Sequence, residues 1–141
     1  MSTGIRALTI RPPWSDLITA GAKTIENRPW GTSWRGVLLV HAARQLAPDA
    51  REGIAALPPG HRMVFGAVVA VARLDAIHDD DGPCTPWSRP GHQHWELHDA
   101  QPLTTPVPCA GALSLWRPTD QLLQAVTDAA SPGALRLLRA R

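Results

Sequence analysis

The chain of 141 residues has the size of a single domain, and its 44% of hydrophobic and 18% of charged residues exclude a disordered protein. No apolar run approaches the ~18 residues of a membrane-spanning helix, which excludes a transmembrane protein. The net charge of +2 permits a nucleic-acid partner without requiring one. The first residues lack the basic and apolar segments of a secretion signal, so we expect a cytoplasmic location.

Hydrophobic periodicity predicts strands over residues 5–10, 37–42, 64–74, 94–97 and 112–116, and helices over 14–20, 48–57, 121–130 and 131–138. The strands lack the regular helical crossovers of a parallel sheet. We therefore predict an α+β fold, a small and mostly antiparallel β-barrel of about five to six strands with peripheral helices. One domain is expected over residues 1–141, with a core over about 5–118 and a helical extension over 119–141.

The densest polar segment contains Lys23, Thr24, Glu26 and Arg28, and Lys23 is the only lysine among 14 lysine and arginine residues. If Ile25 faces the core of an extended segment, the side chains at even positions share the other face, and Lys23 can reach it from the turn. Arginine can bind a phosphate through two hydrogen bonds, glutamate can accept from a base, and a desolvated lysine can act as a base. The cluster suits a nucleotide, although a surface ladder of ion pairs on an edge strand would give the same pattern.

Aromatic rings follow this segment directly. Trp30 and Trp34 lie beside Arg35, and rings next to arginines are what base stacking requires. The sequence leaves these two tryptophans open between core and ligand contact. Trp14 is expected in the core, and Trp87, in a proline-rich loop, can act as a lid.

The histidines offer one cluster. His92, His94, Glu96 and His98 share one face of an extended strand, a spacing that can hold a metal ion. One flat strand face cannot close a tetrahedron alone, so we expect a polar strand face, with one or two of these residues lining a pocket. His41 lies in an apolar run and is expected to be a hydrogen-bonded core histidine, or to face a cleft from the strand end.

Cys84 and Cys109 lie far apart and have no CxxC spacing. We expect both to be reduced, structural and without function. The sequence therefore predicts neither a metal site nor a cofactor.

The motif GxKxxExR is complete as Gly21, Lys23, Glu26 and Arg28, and here the sequence resembles the ASCH domain family, a branch of the PUA-like β-barrels. The segments 10–14, 34–36, 41–42 and 109–116 resemble the same family, so the likeness covers roughly residues 5–118. It implies a PUA-like barrel with a cleft under the first helix, in which the motif's side chains face RNA or a nucleotide.

Two branches of that family are enzymes. One hydrolyses the acyl amide of modified cytidine with a Lys, a Thr and a Glu, and the other cleaves single-stranded RNA. The amidohydrolase type has its Thr three residues after the Lys, where this chain has Glu26, and Thr24 is instead adjacent to Lys23. This difference weakens the hypothesis that the protein is an amidohydrolase.

We therefore predict a domain that binds single-stranded RNA or a modified nucleotide, or DNA, and has no membrane partner; the alternative is a small hydrolase on the same scaffold. The predicted ligand-binding residues are Arg11, Lys23, Glu26, Arg28, Trp30, Trp34, Arg35 and His41. If the protein is an enzyme, Lys23 and Glu26 are the candidate catalytic residues, and Thr24 is less suited.

Overall fold

The structure, a computed structural model, describes residues 4–79 and 84–140. The strands are β1 (Arg6–Ile10), β2 (Ile25–Arg28), β3 (Gly36–Ala42), β4 (Ala67–His78), β5 (Gln93–Pro108) and β6 (Leu115–Trp116). The helices are α1 (Trp14–Thr19), α2 (Arg51–Ala56), α3 (Asp120–Ala129) and α4 (Pro132–Arg139). No helix within the described ranges is long and apolar enough to cross a membrane.

The strands form one curled sheet in the order β2-β5-β4-β3-β1-β6, which makes a half-barrel. Four of the strand pairs are antiparallel, and β1 pairs with β3 in parallel. Parallel neighbours need a crossover, and residues 11–35, which include α1 and β2, supply it. The predicted α+β, mostly antiparallel barrel with peripheral helices is therefore confirmed, with one parallel pair that the sequence did not indicate.

β5 is much longer than the predicted strand over 94–97. It continues through Pro102 to Pro108, and its ladder with β4 passes from the pair Ala70–Pro102 to the pair Val68–Val107 across a register shift. Proline cannot donate to a ladder, and strands tolerate it at such irregularities. Pro102 therefore lies beside an irregularity within β5, whereas Pro108 is its last residue.

Both faces of the sheet are covered by apolar side chains. Leu38 and Val40 of β3 pack in one cluster with Ile18 of α1. Leu39 packs in a second cluster with Leu137 of α4. Because both faces are buried, β3 has a continuous apolar sequence instead of an alternating one.

The two C-terminal helices begin with hydroxyl caps. The Thr119 side chain accepts a hydrogen bond from the Leu122 amide at 3.1 Å, so Thr119 caps α3. The Ser131 side chain accepts from the Ala134 amide at 3.2 Å at the start of α4. Each cap satisfies an amide that the first turn would otherwise leave unpaired.

We expect Leu137→Ala to lower the free energy of unfolding by about 2–4 kcal/mol, because the substitution leaves a cavity between α4 and the sheet. Urea unfolding followed by circular dichroism measures the change. Leu113→Ala is the matched control, since Leu113 is 93% exposed and should unfold as the wild type does. Equal midpoints for the two variants would contradict the packing of α4 on the sheet.

Candidate functional site

A cavity of about 630 Å³ opens between α1 and the adjoining ends of β1, β2 and β3. We call it the Lys23 cavity. Of the eight residues that the sequence predicted to bind ligand, five line it: Arg11, Lys23, Glu26, Arg28 and His41. The motif segment and the end of β3 therefore meet at one site.

Lys23, Glu26 and Arg28 form one network at the base of this cavity. The Lys23 ammonium lies 3.4 Å from Glu26 Oε1, and Arg28 Nε donates to Glu26 Oε2 at 2.9 Å. Arg28 also donates to the Thr9 carbonyl at 2.7 Å, which ties β2 to β1. Lys23 is 4% and Glu26 7% exposed, so the network is not the solvated ladder of ion pairs that the sequence also allowed.

The turn after α1 delivers Lys23 to this position. Gly21 has a φ of +80°, a left-handed conformation that favours glycine. The amides of Ala22 and Lys23 both donate to the Leu17 carbonyl, at 3.0 and 3.1 Å. The Lys23 ammonium in turn donates to the Ile25 carbonyl. The chain thus folds back beneath α1 with its ammonium directed at the motif carboxylate.

Burial lowers the pKa of Lys23 below its ordinary value of 10.5. The Glu26 carboxylate opposes this shift by its charge and its hydrogen bond, whereas the charges of Arg89 and Arg28 add to the lowering. Removing water disfavours the charged ammonium, and burial is the largest of these effects. At a given pH, a larger fraction of Lys23 is therefore neutral than of an exposed lysine.

Trp14 forms an aromatic wall of the cavity. Its ring packs edge-on against Trp87, with centroids 5.5 Å apart, and the Lys23 ammonium and the Arg89 guanidinium each lie 5.8 Å from its centroid. The sequence favoured a core position for Trp14, but the half-buried ring packs on the core and also lines the cavity. Trp87 packs beside it and lies outside the lining of the Lys23 cavity, and its role as a lid stays a prediction.

Gly53 of α2 is what allows Trp14 to take this place. A Cβ atom at Gly53 would lie 2.5 Å from Pro13 and 2.8 Å from the Trp14 ring. Contacts that short require the neighbours to move. Glycine at this position therefore lets α2 support the aromatic wall from behind.

His41 closes the cavity from β3. Its Nε2 donates to the Cys109 carbonyl at 2.8 Å, so Nδ1, 3.2 Å from Thr9 Oγ1, accepts the hydroxyl proton. Thr9 Oγ1 in turn accepts from Trp116 Nε1 at 3.2 Å. Burial lowers the pKa of His41, which favours the neutral ring. His41 is thus both the hydrogen-bonded core histidine and the cleft residue that the sequence offered as alternatives.

Sequence analysis missed two arginines on the rim, Arg44 and Arg89. Arg44 lies three residues beyond His41, so the predicted end of β3 could have indicated it. Arg89 comes from the loop over residues 84–92 and forms an ion pair with Asp49. The position of Arg89 depends on how β4 and β5 position that loop, and the local sequence does not indicate this.

Three predicted ligand residues lie outside the lining of the Lys23 cavity. The Trp30 ring packs on Trp95 at 4.9 Å between centroids, and its carbonyl accepts from Trp95 Nε1. Trp34 Nε1 donates to the Gly4 carbonyl at 3.0 Å, and the exposed Arg35 donates to backbone carbonyls of its own loop. The structure gives all three local packing or backbone contacts instead of a place in the cavity.

The Lys23 ammonium should titrate below pH 10.5 in the folded protein. Because the unfolded chain then holds this proton more tightly, the free energy of unfolding gains a contribution that rises with pH from the lowered pKa up to 10.5. Labelling with ¹⁵N-lysine gives one side-chain signal, since Lys23 is the sole lysine. Glu26→Gln should lower the pKa further, and Arg89→Gln should raise it.

Arg35→Gln is the matched control for this titration, because Arg35 is exposed and lies outside the cavity. It should leave the pKa of Lys23 unchanged. A wild-type pKa at or above 10.5 would show that water reaches the ammonium.

Comparison with known proteins identifies the family. A family model for the ASCH domain matches residues 8–106, while the search of curated proteins returns no match. The crystal structure of ASCH from Zymomonas mobilis has a TM-score of 0.61 at 18% identity, over 92% of this chain and 98% of that chain. Two crystal structures of ZmASCH point mutants have TM-scores of 0.58 and 0.56 at 18% and 20% identity, over 92% and 91% of this chain and 99% of each mutant chain. These structures share its fold, and the family match over most of its length shows that the chain belongs to the ASCH domain family.

Proposed function

We propose that this domain binds single-stranded RNA, or a nucleotide from it, in the Lys23 cavity. The observation that carries the proposal is the convergence of five basic side chains and one aromatic wall on a single cavity: Arg11, Lys23, Arg28, Arg44, Arg89 and Trp14. Guanidinium groups bind phosphate oxygens through paired hydrogen bonds, and an indole face accepts a base. A volume of about 630 Å³ is large enough for a nucleotide.

The base and the phosphates use different parts of the cavity. Glu26 lies between two cations at its base, where its carboxylate can accept from an exocyclic amine or a ring N–H. Trp14 lies beside it and offers a stacking surface. The Arg89 guanidinium is exposed, so an entering base displaces it from the Trp14 ring toward a phosphate.

The rim supplies the contacts to the strand's backbone. Arg11 and Arg44 are exposed and line the opening. An extended single strand can pass between them, whereas a duplex keeps its bases stacked away from the Trp14 wall. We therefore assign phosphate binding to Arg11, Arg44 and Arg89, and leave Arg35, Trp30 and Trp34 to the packing they already make.

Titration with a short single-stranded RNA, followed by tryptophan fluorescence at low and moderate salt, tests this proposal. Arg44→Gln should weaken binding about 5- to 10-fold and reduce the salt slope by about 0.7, because one phosphate contact is lost. Arg35→Gln, the control, should bind as the wild type does. A matched DNA strand and a mononucleotide distinguish polymer from nucleotide and RNA from DNA.

Two results would contradict the proposal. No saturable binding of any of the three ligands would remove nucleic acid as the partner. Equal losses for Arg44→Gln and Arg35→Gln would show general attraction by surface charge instead of binding in the cavity.

The environment of Lys23 favours a second candidate, cleavage of single-stranded RNA. Because burial lowers its pKa, Lys23 is neutral at a given pH in a larger fraction of molecules than an exposed lysine, and the neutral amine can accept a proton from a ribose 2′-OH. The 2′ oxygen then attacks phosphorus, the bond to the 5′ oxygen breaks, and the leaving 5′ oxygen takes a proton from solvent, while the Arg28 guanidinium can stabilise the charge on the phosphate. Thr24 is exposed and outside the cavity lining, so the geometry does not support amide hydrolysis through that hydroxyl.

Cleavage of end-labelled RNA at enzyme excess tests this candidate. Lys23→Arg keeps a positive charge but cannot accept the proton, because a guanidinium stays charged in proteins. It should abolish cleavage while RNA binding persists, and a 2′-deoxy substrate should resist the wild type. Absence of product, or equal rates for wild type and Lys23→Arg, would leave the domain as a binding module.

A further inference from the structure

A cluster of metal-ligating side chains lies outside the Lys23 cavity, where β4 ends and β5 begins. His78 and His94 are opposite each other in the β4–β5 ladder, and Cys84 approaches them from the loop over residues 84–92. One ligand atom from each residue lies within 4.8 Å of the other two. Sequence analysis suggested donors on one strand face, from His92, His94, Glu96 and His98. In the structure the donors come from three separate segments: β4, β5 and the loop between them.

The distances fit a tetrahedral ion. His78 Nε2 and His94 Nδ1 are 3.3 Å apart, and Cys84 Sγ is 3.6 Å from His94 Nδ1. Bonds of about 2.0–2.1 Å to nitrogen and about 2.3 Å to sulfur, at tetrahedral angles, place two nitrogens about 3.3 Å and a nitrogen and a sulfur about 3.6 Å apart. The remaining edge, from Cys84 to His78, is at most 4.8 Å and closes with a small movement of the exposed cysteine.

The outer nitrogens of both rings are held by oxygen acceptors. His78 Nδ1 lies 3.0 Å from the Glu96 carboxylate, and His94 Nε2 lies 2.9 Å from the Arg89 carbonyl. Since these oxygens accept hydrogen bonds, each outer nitrogen carries the proton, and the inner nitrogens present lone pairs toward one another. A carboxylate or carbonyl behind a histidine is the usual support of a metal-bound imidazole.

We propose that His78, Cys84 and His94 bind a zinc-type divalent ion, with a water molecule as the fourth ligand. Two imidazoles and a thiolate are donors that Zn²⁺ prefers to Mg²⁺ or Ca²⁺. Binding replaces the thiol proton of Cys84, which passes to solvent. Ser88 Oγ, 3.0 Å from the sulfur, accepts from the amides of Cys84 and Thr85 and can direct its proton at the thiolate. This assigns Cys84 a role where the sequence predicted none.

The ion would fasten the loop over residues 84–92 to the sheet. That loop carries Trp87, which packs on Trp14, and Arg89, whose carbonyl holds His94. One bound ion would therefore also fix Arg89, which lines the Lys23 cavity, and Trp87, which packs on its Trp14 wall. The proposal does not depend on what that cavity binds.

Titration of the purified full-length protein with Co²⁺ and Zn²⁺ tests the site directly. We expect one ion per chain, intense visible bands of four-coordinate Co²⁺, and a near-ultraviolet band of thiolate-to-cobalt charge transfer that Zn²⁺ displaces. Cys84→Ala should remove the charge-transfer band, and Glu96→Gln should weaken Zn²⁺ binding about 10- to 100-fold by withdrawing support from His78.

The matched controls are Cys109→Ala, which removes the other cysteine, and His92→Ala, which removes a histidine outside the cluster. Both should bind one ion with the wild-type spectrum. Because Cys84 is exposed, Cys84→Ala should keep the wild-type circular dichroism, so loss of the band reports loss of a ligand. No binding by the wild type, or the charge-transfer band persisting in Cys84→Ala, would overturn the proposal.

Discussion

The candidate site depends on two ion pairs of one side chain, the Glu26 carboxylate. This one carboxylate contacts both the buried Lys23 ammonium and the half-buried Arg28 guanidinium, and it offsets part of the free-energy cost of burying their charges. Through Arg28 the network also reaches the Thr9 carbonyl of β1, so it joins the edge strand β2, which lies in the crossover between β1 and β3, to β1. The polar base of the cavity is thus part of what closes the half-barrel.

β5 connects this network to the rest of the molecule. It pairs with β2, which carries Glu26 and Arg28, and with β4 on its other side. The same strand begins with His94, opposite His78 of β4. The Lys23 cavity and the histidine–cysteine cluster therefore both depend on the register of the first residues of β5.

Contacts between residues close together in the sequence could be predicted, whereas contacts between distant segments could not. Lys23, Glu26 and Arg28 lie within six positions, so the period of a strand was enough to bring them together. The local sequence left Trp30 open between core and ligand contact, whereas in the structure Trp95, on β5, packs against it. The cluster around Cys84 depends on the pairing of β4 with β5. Strand propensity did not predict the full length of that pairing, because prolines disfavour a strand.

The loop over residues 84–92 belongs to both proposed sites, and this has an energetic consequence. The Arg89 carbonyl holds the His94 ring, while the Arg89 side chain pairs with Asp49 and lies over Trp14 at the Lys23 cavity. A base that moves this guanidinium off Trp14 acts on the same residue whose backbone orients a metal ligand. If ligand and ion binding are coupled through Arg89, each changes the other's affinity by the same factor, because coupling between two binding equilibria is reciprocal. The two proposals thus meet in Arg89: the ion orders the loop, and the loop presents its arginine to the cavity.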